Sequence, residues 1–330
     1  MNGVDTPVWS LTWSGTDVTA EIAAFVTSLT VTDRKEGESD EVTVELEDRD
    51  GRWRNGWMPS KGDVLDVVIG FQGGAMIDAG RFEVDEIEHS GPPDRLHVRG
   101  LAASVTEALR TKRHRAFEGQ TLPQIAAAVA AGHGMEVIGN PATEPLQRVT
   151  QADETDLQFL SKLAAEHGYV FSVRGKAMVF LLDEELLAAD PAMTLSRTEH
   201  DPVRWRFRRT ARTVYQACEV TYQDPATKKT ETVTVKAGEE GKSGDTLKKR
   251  VRVESPAHAR QKAQAMLDRA NRGEVSGTLT FPGRPELVAG INVTLEGFGD
   301  AWDGKHHVVS STHRIQRGGG YTTDIEVHRV

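Results

Sequence analysis

The sequence predicts a mainly β fold with an α+β insertion, in which two β-barrel-like domains related by duplication flank a small α/β domain. Three observations predict it. Residues 1–110 contain short runs of alternating polar and β-branched residues separated by turns, which is typical of a barrel or sandwich. Residues 111–185 carry two helical patterns and a hairpin. Residues 186–330 return to strand patterns and include one helix, at about 256–272.

The duplication rests on matched residues near the two ends of the chain. Each copy has a strand-like segment that ends in a Gly-Phe pair, at Gly70 and at Gly297, followed by a glycine, a valine and a histidine. The spacing of these three residues is identical in the two copies, which contain Gly80, Val84 and His89, and Gly304, Val308 and His313. Chance is the alternative, because glycine and valine are common. A duplication predicts that Val84 superposes on Val308 and His89 on His313.

Local signals define the helices. Thr121 is a predicted N-cap, and Gln124 completes a capping box. Ser255 followed by Pro256 predicts the start of the third helix. A second helix spans roughly residues 154–167, and we expect its apolar face to pack in the core of the middle domain. That face consists of Leu157, Leu160 and Leu163.

Composition and charge exclude several classes of protein. The net charge of -9 argues against a general nucleic-acid binder, which needs a basic surface. The basic runs near Arg113, Arg206 and Lys248 are predicted to be solvated strand or loop faces. The single cysteine, Cys218, cannot form an intrachain disulfide, and its strand-like surroundings predict a buried thiol. Neither a transmembrane stretch nor a signal peptide is indicated, so we expect assembly in a cytoplasm.

The sequence predicts no catalytic, cofactor-binding or metal-binding residue, and no enzyme activity. Residues 238–243 resemble a phosphate loop, but the spacing of their glycines does not fit the Walker motif. His306 and His307 are adjacent in a strand, so they point to opposite faces and cannot share an ion. Acidic clusters lie at turns, loops and helix starts, where acids are common. They are Asp153-Glu154, Asp156, Asp183-Glu184-Glu185 and Glu239-Glu240.

A longer pattern in the middle domain is more specific. It reads Glu-Thr-Asp at 154–156, Phe-Leu at 159–160 and Leu-Ala-x-Glu-x-Gly at 163–168, followed by an aromatic strand. This pattern resembles the phage late control protein D family of tail baseplate hubs. Similar C-terminal residues extend the resemblance over about residues 115–330. They are Ser255, Pro256, Ala259, Gly277, Gly283, Leu287, Gly290, Val308 and His313.

The resemblance implies a structural baseplate hub related to the hub part of type VI secretion valine-glycine-repeat proteins. In such hubs two β-barrels per chain pack as a homotrimer, so that six barrels form a pseudo-sixfold ring between the hexameric tail tube and a central spike. The chain ends at Val330 without a spike-like repeat, which implies a separate spike protein. The family pattern supplies no catalytic residue and no cofactor.

The resemblance also implies partners and a location. The partners are further copies of the chain, the tail tube protein, the central spike protein, other baseplate proteins and a tape-measure protein in the lumen. No specific nucleic acid and no direct membrane insertion are implied. The location is the tail baseplate of a virion, or of a related contractile injection machine, after assembly in the bacterial host cytoplasm.

Two further expectations concern glycans and the lumen. Residues 119–126 are similar to the first helix of LysM modules, so an alternative function is a peptidoglycan-binding or peptidoglycan-hydrolysing module of a tail particle. The excess of acidic over basic residues, 49 against 40, predicts a net acidic or neutral lumen. The basic runs near Arg113 and Arg206 are then expected to face outward or toward a protein partner.

Overall fold

The computed structural model describes residues 6–35, 39–102, 109, 111–139, 141, 144–199, 202–210, 214–223, 228–237, 244–251, 253 and 255–330. The protein is mainly β, as the sequence predicts. The N-terminal strands are β1 (Pro7–Trp13), β2 (Thr16–Asp17), β3 (Val26–Arg34), β4 (Glu41–Glu47), β5 (Val64–Phe71), β6 (Met76–Ser90) and β7 (Arg95–Ala102). The middle strands are β8 (Lys112–Thr121), β9 (Glu136–Ile138), β10 (Pro145–Thr155), β11 (Tyr169–Arg174) and β12 (Ala177–Leu182).

The C-terminal strands and the helices complete the described elements. The strands are β13 (Met193–Ser196), β14 (Arg204–Arg209), β15 (Ala217–Gln223), β16 (Thr230–Lys236), β17 (Thr246–Arg250), β18 (Val275–Pro282), β19 (Asn292–Glu296), β20 (Gly304–Gln316) and β21 (Gly320–Arg329). The helices are α1 (Thr19–Ile22), α2 (Leu122–Ala131), α3 (Asp156–Glu166), α4 (Asp183–Ala188) and α5 (Pro256–Asn271). Within the described residues, no helix is long and apolar enough to cross a bilayer.

One large sheet joins the two ends of the chain. Among the described residues it has 13 strands, in the order β14-β18-β21-β20-β3-β4-β7-β6-β5-β1-β2, and β19 branches from β20 to pair with β13. The N-terminal strands enclose one hydrophobic core, and the C-terminal strands enclose another. Strand β3 pairs with β20, so the two barrel-like halves share a continuous backbone ladder.

The two halves repeat the same hydrogen bonds, in agreement with the predicted duplication. The Gly62 amide donates to the Val84 carbonyl at 2.9 Å, and the Gly290 amide donates to the Val308 carbonyl at 2.8 Å. The Val84 amide donates in turn to the Asp63 carbonyl at 2.8 Å, and the Val308 amide donates to the Ile291 carbonyl at 2.9 Å. The two glycines have φ angles of +91° and +90°, a region that other residues rarely adopt.

A β-bulge follows each of the matched valines. The pairing of β6 with β7 shifts directly after Val84, and the pairing of β20 with β21 shifts directly after Val308. A bulge adds one residue and turns the strand locally, so it fixes where the following side chains point. His89 and His313 therefore lie at equivalent positions in the two halves, as the matched spacing predicts.

The middle of the chain has its own core, built from α2, α3 and two small sheets. Strand β8 pairs with β10, and β12 lies between β11 and β9. The predicted capping box of Thr121 and Gln124 is present, and Thr155 and Gln158 form a second one. The apolar face of α3 packs into this core through the fully buried Leu160, the nearly buried Leu163 and the partly buried Leu157.

A further small unit consists of β15, β16, β17 and α5. Strand β15 lies between β16 and β17, and α5 packs on this sheet. Its core contains the predicted buried thiol of Cys218, whose pKa is raised by burial. Residues 186–330, which the sequence predicts to be one barrel with a helix, therefore contain two hydrophobic cores. The boundaries at residues 110 and 185 remain a proposal for how the chain divides into domains.

Candidate functional site

Strand pairing defines which residues of the two halves are equivalent. The order β3-β4-β7-β6 in the first half corresponds to β14-β18-β21-β20 in the second. Starting at the matched valines and following the registers across the sheet gives one equivalent pair on each strand. These pairs are Val84 and Val308, Gly100 and Val327, Val42 and Gly277, and Val31 and Phe207.

The two halves meet at a joint that we call the inner joint, where the C-terminal part of β20 pairs with β3. The pairing is antiparallel. Thr312 lies opposite Thr32, and their hydroxyl oxygens are 3.3 Å apart. Arg314 donates from Nε to the Thr30 hydroxyl at 3.4 Å. The inner joint therefore combines a backbone ladder with side-chain contacts on the polar face of the sheet.

Two strand edges equivalent to those of the inner joint are open. In the described part of the chain, the segment of β6 from Glu86 to Ser90 pairs with β7 on one side only. Strand β14 likewise has β18 on one side and no described strand on the other. By equivalence, this segment of β6 corresponds to β20 at the inner joint, and β14 corresponds to β3. Open edges present unpaired N–H and C=O groups that can accept another strand.

The polar face of the sheet carries charges of both signs, and many of them pair within the chain. Arg95 binds Glu45, and Arg99 donates to Glu41 at 2.7 Å. Arg99 also lies 3.5 Å from Glu86. Such cross-strand ion pairs neutralise much of the charge between β4, β7 and β6.

A buried ionic contact ties the first half to the two smaller units. Lys35, which follows β3, donates to the Asp183 carboxylate at the start of α4 over 2.9 Å. Arg272, which follows α5, donates to the other oxygen of the same carboxylate. Both Lys35 and Asp183 are buried. A carboxylate held by two cations has a structural role here, although the sequence places Asp183 in an ordinary acidic turn.

Asp156 is a second buried carboxylate with several donors. Its Oδ1 atom accepts from Arg115 and, at 2.9 Å, from Gln151. Its Oδ2 atom lies 2.7 Å from His133 Nε2 and 3.3 Å from Arg113. Two arginines of the basic run that was predicted to be a solvated face therefore bind this carboxylate. These contacts hold the Asp156 carboxylate inside the middle unit.

The adjacent histidines of β20 are buried and have separate partners. His306 and His307 contact different partners, as the strand geometry predicts, and both side chains are buried. His306 Nδ1 lies 3.0 Å from the Gly304 carbonyl, and His307 Nδ1 lies 2.7 Å from the Asn292 side-chain oxygen. No cluster of potential metal ligands occurs among the described residues.

Buried histidines predict that the protein loses stability in mild acid. Burial and nearby cations lower the pKa of His307 to about 3, and burial lowers the pKa of His313 to about 4. The unfolded chain binds protons near pH 6.5, whereas these folded side chains do not, so stability falls as the pH drops below about 6.5. We expect His313→Gln to reduce this pH dependence by about 1 kcal/mol per pH unit in urea denaturation between pH 7 and 5.5.

The exposed His114 on β8 gives a matched control for the pH experiment. We expect the His114→Gln variant to retain the loss of stability on acidification, because the buried histidines are unchanged. Stability that stays constant or rises on acidification would contradict the assignment of neutral buried histidines.

The remaining candidate residues lie apart from the open edges. Residues 238–243, which resemble a phosphate loop, are outside the described part of the chain. In the LysM-like segment, Leu122, Ile125 and Ala126 are buried in the middle core, so this face of α2 is not open to a glycan. The arginines of β14, in contrast, are exposed. No pattern in the sequence identified β14 and β6 as matching edges, because their equivalence depends on strand pairing.

Comparison with solved structures identifies the fold. The chain matches the 43 kDa tail protein of prophage MuSo2 from Shewanella oneidensis with a TM-score of 0.75 and 18% identity, over 98% of both chains. A component of the type VI secretion system of E. coli matches with a TM-score of 0.61 and 13% identity, over 93% of this chain and 74% of that chain. The fold is thus one shared by phage tail proteins and a type VI secretion component.

Sequence comparison identifies the family. The sequence model of the phage tail baseplate hub (GPD) family matches residues 32–319. A probable baseplate hub protein of Escherichia phage 186 is 27% identical over an alignment of 364 residues including gaps. The alignment covers 97% of this chain and 92% of that protein. The chain belongs to the phage tail baseplate hub (GPD) family. Its location is therefore the tail baseplate, as the resemblance in the sequence predicts.

Proposed function

We propose that three copies of the chain form a closed ring that joins the hexameric tail tube to a separate central spike, without enzymatic activity. The observation that carries this proposal is the duplicated half with its inner joint and two matching open edges. A closed ring uses one heterologous interface repeatedly. Three chains, each with two equivalent halves, present six similar halves in a pseudo-sixfold arrangement.

This arrangement provides matching symmetry at both ends of the ring. Six similar halves suit a hexameric tube protein, whereas three chains suit a threefold spike. Other baseplate proteins can then bind the outer units of the chain. These units include α2, α3 and the sheet of β15, β16 and β17. The names of the relatives support a structural hub.

We propose that the wall of the lumen does not bind the DNA or the tape-measure protein that passes through it. The polar face of the large sheet mixes acids and bases, and pairs such as Arg95 with Glu45 neutralise one another. A wall of mixed sign has little net attraction for DNA or for a tape-measure protein. We place the exposed arginines of β14 at contacts between proteins rather than in a continuous basic belt.

Native mass spectrometry tests the ring. We expect the purified chain to show a trimer whose fraction rises with concentration, and the trimer to dominate when tube and spike proteins are added. The reason is that each interface closes two open strand edges. A dimer or hexamer as the dominant species, or a monomer that persists with both partners present, would contradict the proposal.

A further inference from the structure

The two open edges carry side chains that suit one particular pairing. We propose that β6 of one protomer pairs antiparallel with β14 of the next in the register of the inner joint, which places Glu88 opposite Arg208. This contact, which we call the outer joint, rests on the proposed ring of three chains. In the outer joint each open edge pairs with a second copy of this chain. The register predicts which residues lie opposite each other.

The register follows from the equivalence of the two halves. Glu88 follows Val84 by the same number of residues as Thr312 follows Val308. Arg208 directly follows Phe207, as Thr32 directly follows Val31 in the equivalent strand. Because Thr312 lies opposite Thr32 at the inner joint, the same register places Glu88 opposite Arg208 at the outer joint. The matching bulges after the two valines keep this alignment intact.

Charge on the polar face supports this register. Glu88 and Arg208 are both exposed, and neither forms an ion pair with another described residue of its own chain. The hydroxyl contact of Thr312 with Thr32 is replaced in the proposed register by a carboxylate and a guanidinium. Opposite charges that face each other across two strands stabilise their pairing, and like charges oppose it.

The neighbouring position repeats an arginine-hydroxyl contact with the two residues exchanged. At the inner joint Arg314 of β20 donates to Thr30 of β3. The equivalent residues at the outer joint are Ser90 of β6 and Arg206 of β14. There the arginine lies on the other strand, and it can donate to the serine hydroxyl. The same register therefore gives two adjacent complementary pairs.

Exposure on the apolar side also indicates that β14 lacks a covering strand. Leu29 in β3 is 1% exposed beneath the inner joint, whereas its equivalent in β14, Trp205, is 40% exposed. Val203, at the start of this segment, is 67% exposed. An exposed tryptophan on an open strand edge is typical of a protein interface. Pairing with another protomer would reduce the exposure of both residues.

Charge reversal tests the proposed ion pair in purified protein. We expect Arg208→Glu, or Glu88→Arg, to weaken trimer formation by up to roughly thirtyfold per interface, because like charges then face each other. The double variant, Glu88→Arg with Arg208→Glu, should restore assembly. Arg204→Glu is the matched control, since it makes the same charge change on the same strand without facing an acid. If the double variant does not recover trimer assembly, the proposed ion pair of Glu88 with Arg208 is wrong.

Cysteine cross-linking in assembled tail particles tests the register and separates it from the ring. Glu88→Cys combined with Arg208→Cys should give, after mild oxidation, a covalent ladder that ends at three chains. Glu86→Cys with Arg208→Cys, displaced along the strand, should cross-link far less. Particles with three hub copies that lack the first cross-link, or that favour the second, would overturn the register but leave the ring. A copy number other than three would overturn the ring itself.

Discussion

Replacing Asp156 with alanine is expected to destabilise the protein by about 3–5 kcal/mol, because removing one partner of a buried ionic network leaves the others unpaired. Asp156 is fully buried, and it accepts hydrogen bonds from Arg115 and Gln151. His133 Nε2 lies 2.7 Å from the same carboxylate. Its removal leaves these groups without their common acceptor in the middle unit. Urea denaturation at pH 7 measures the change.

A neighbouring carboxylate provides the control for Asp156. Glu154 pairs with Lys162 at the surface, where both side chains are partly exposed. Surface ion pairs contribute about 0–1 kcal/mol, so Glu154→Ala should change the unfolding free energy by no more than that. Equal effects of the two substitutions would show that Asp156 is not the anchor of the buried network.

We also expect a large loss of stability when Leu160 is truncated. Replacing it with alanine should cost about 2–5 kcal/mol, the range observed when a large aliphatic side chain is removed from a packed core. Leu160 is fully buried on the apolar face of α3, among residues that include Phe159 and Leu163. Thermal or urea denaturation monitored in the middle unit gives the measurement.

Leu181 on β12 is the matched control for Leu160. It is in the same unit, but it is 42% exposed, so its truncation to alanine leaves no closed cavity. We expect Leu181→Ala to cost less than about 1 kcal/mol, as most surface substitutions do. A near-neutral Leu160→Ala would mean that the apolar face of α3 is not packed inside the protein.

Much of the fold was predictable because its signals are local. Thr121 with Gln124, and Ser255 with Pro256, define helix starts through the chemistry of their own backbone neighbourhood. The matched spacing of Val84 and His89 corresponds to a bulge at the same place in each half. These features depend on few neighbours, so a single sequence carries them.

The remaining features depend on contacts between distant parts of the chain. The inner joint pairs residue Thr32 with residue Thr312, and no local pattern indicates that choice. Strands β15, β16 and β17 have the same alternation as barrel strands, so their separate core on α5 was not distinguished. Asp156 lies at a helix start, where exposed acids are common, and its burial becomes apparent only with Arg115 and His133 in place.

A reconstruction of the tail particle by electron cryo-microscopy tests most directly whether three duplicated chains form a pseudo-sixfold ring. We expect three hub chains in one ring, with inner joints and outer joints alternating around six similar halves. We also expect β14 of each chain beside β6 of the next, with Glu88 facing Arg208. A ring with one or six copies of the chain, or with the open edges of β6 and β14 facing solvent, would contradict the proposed ring.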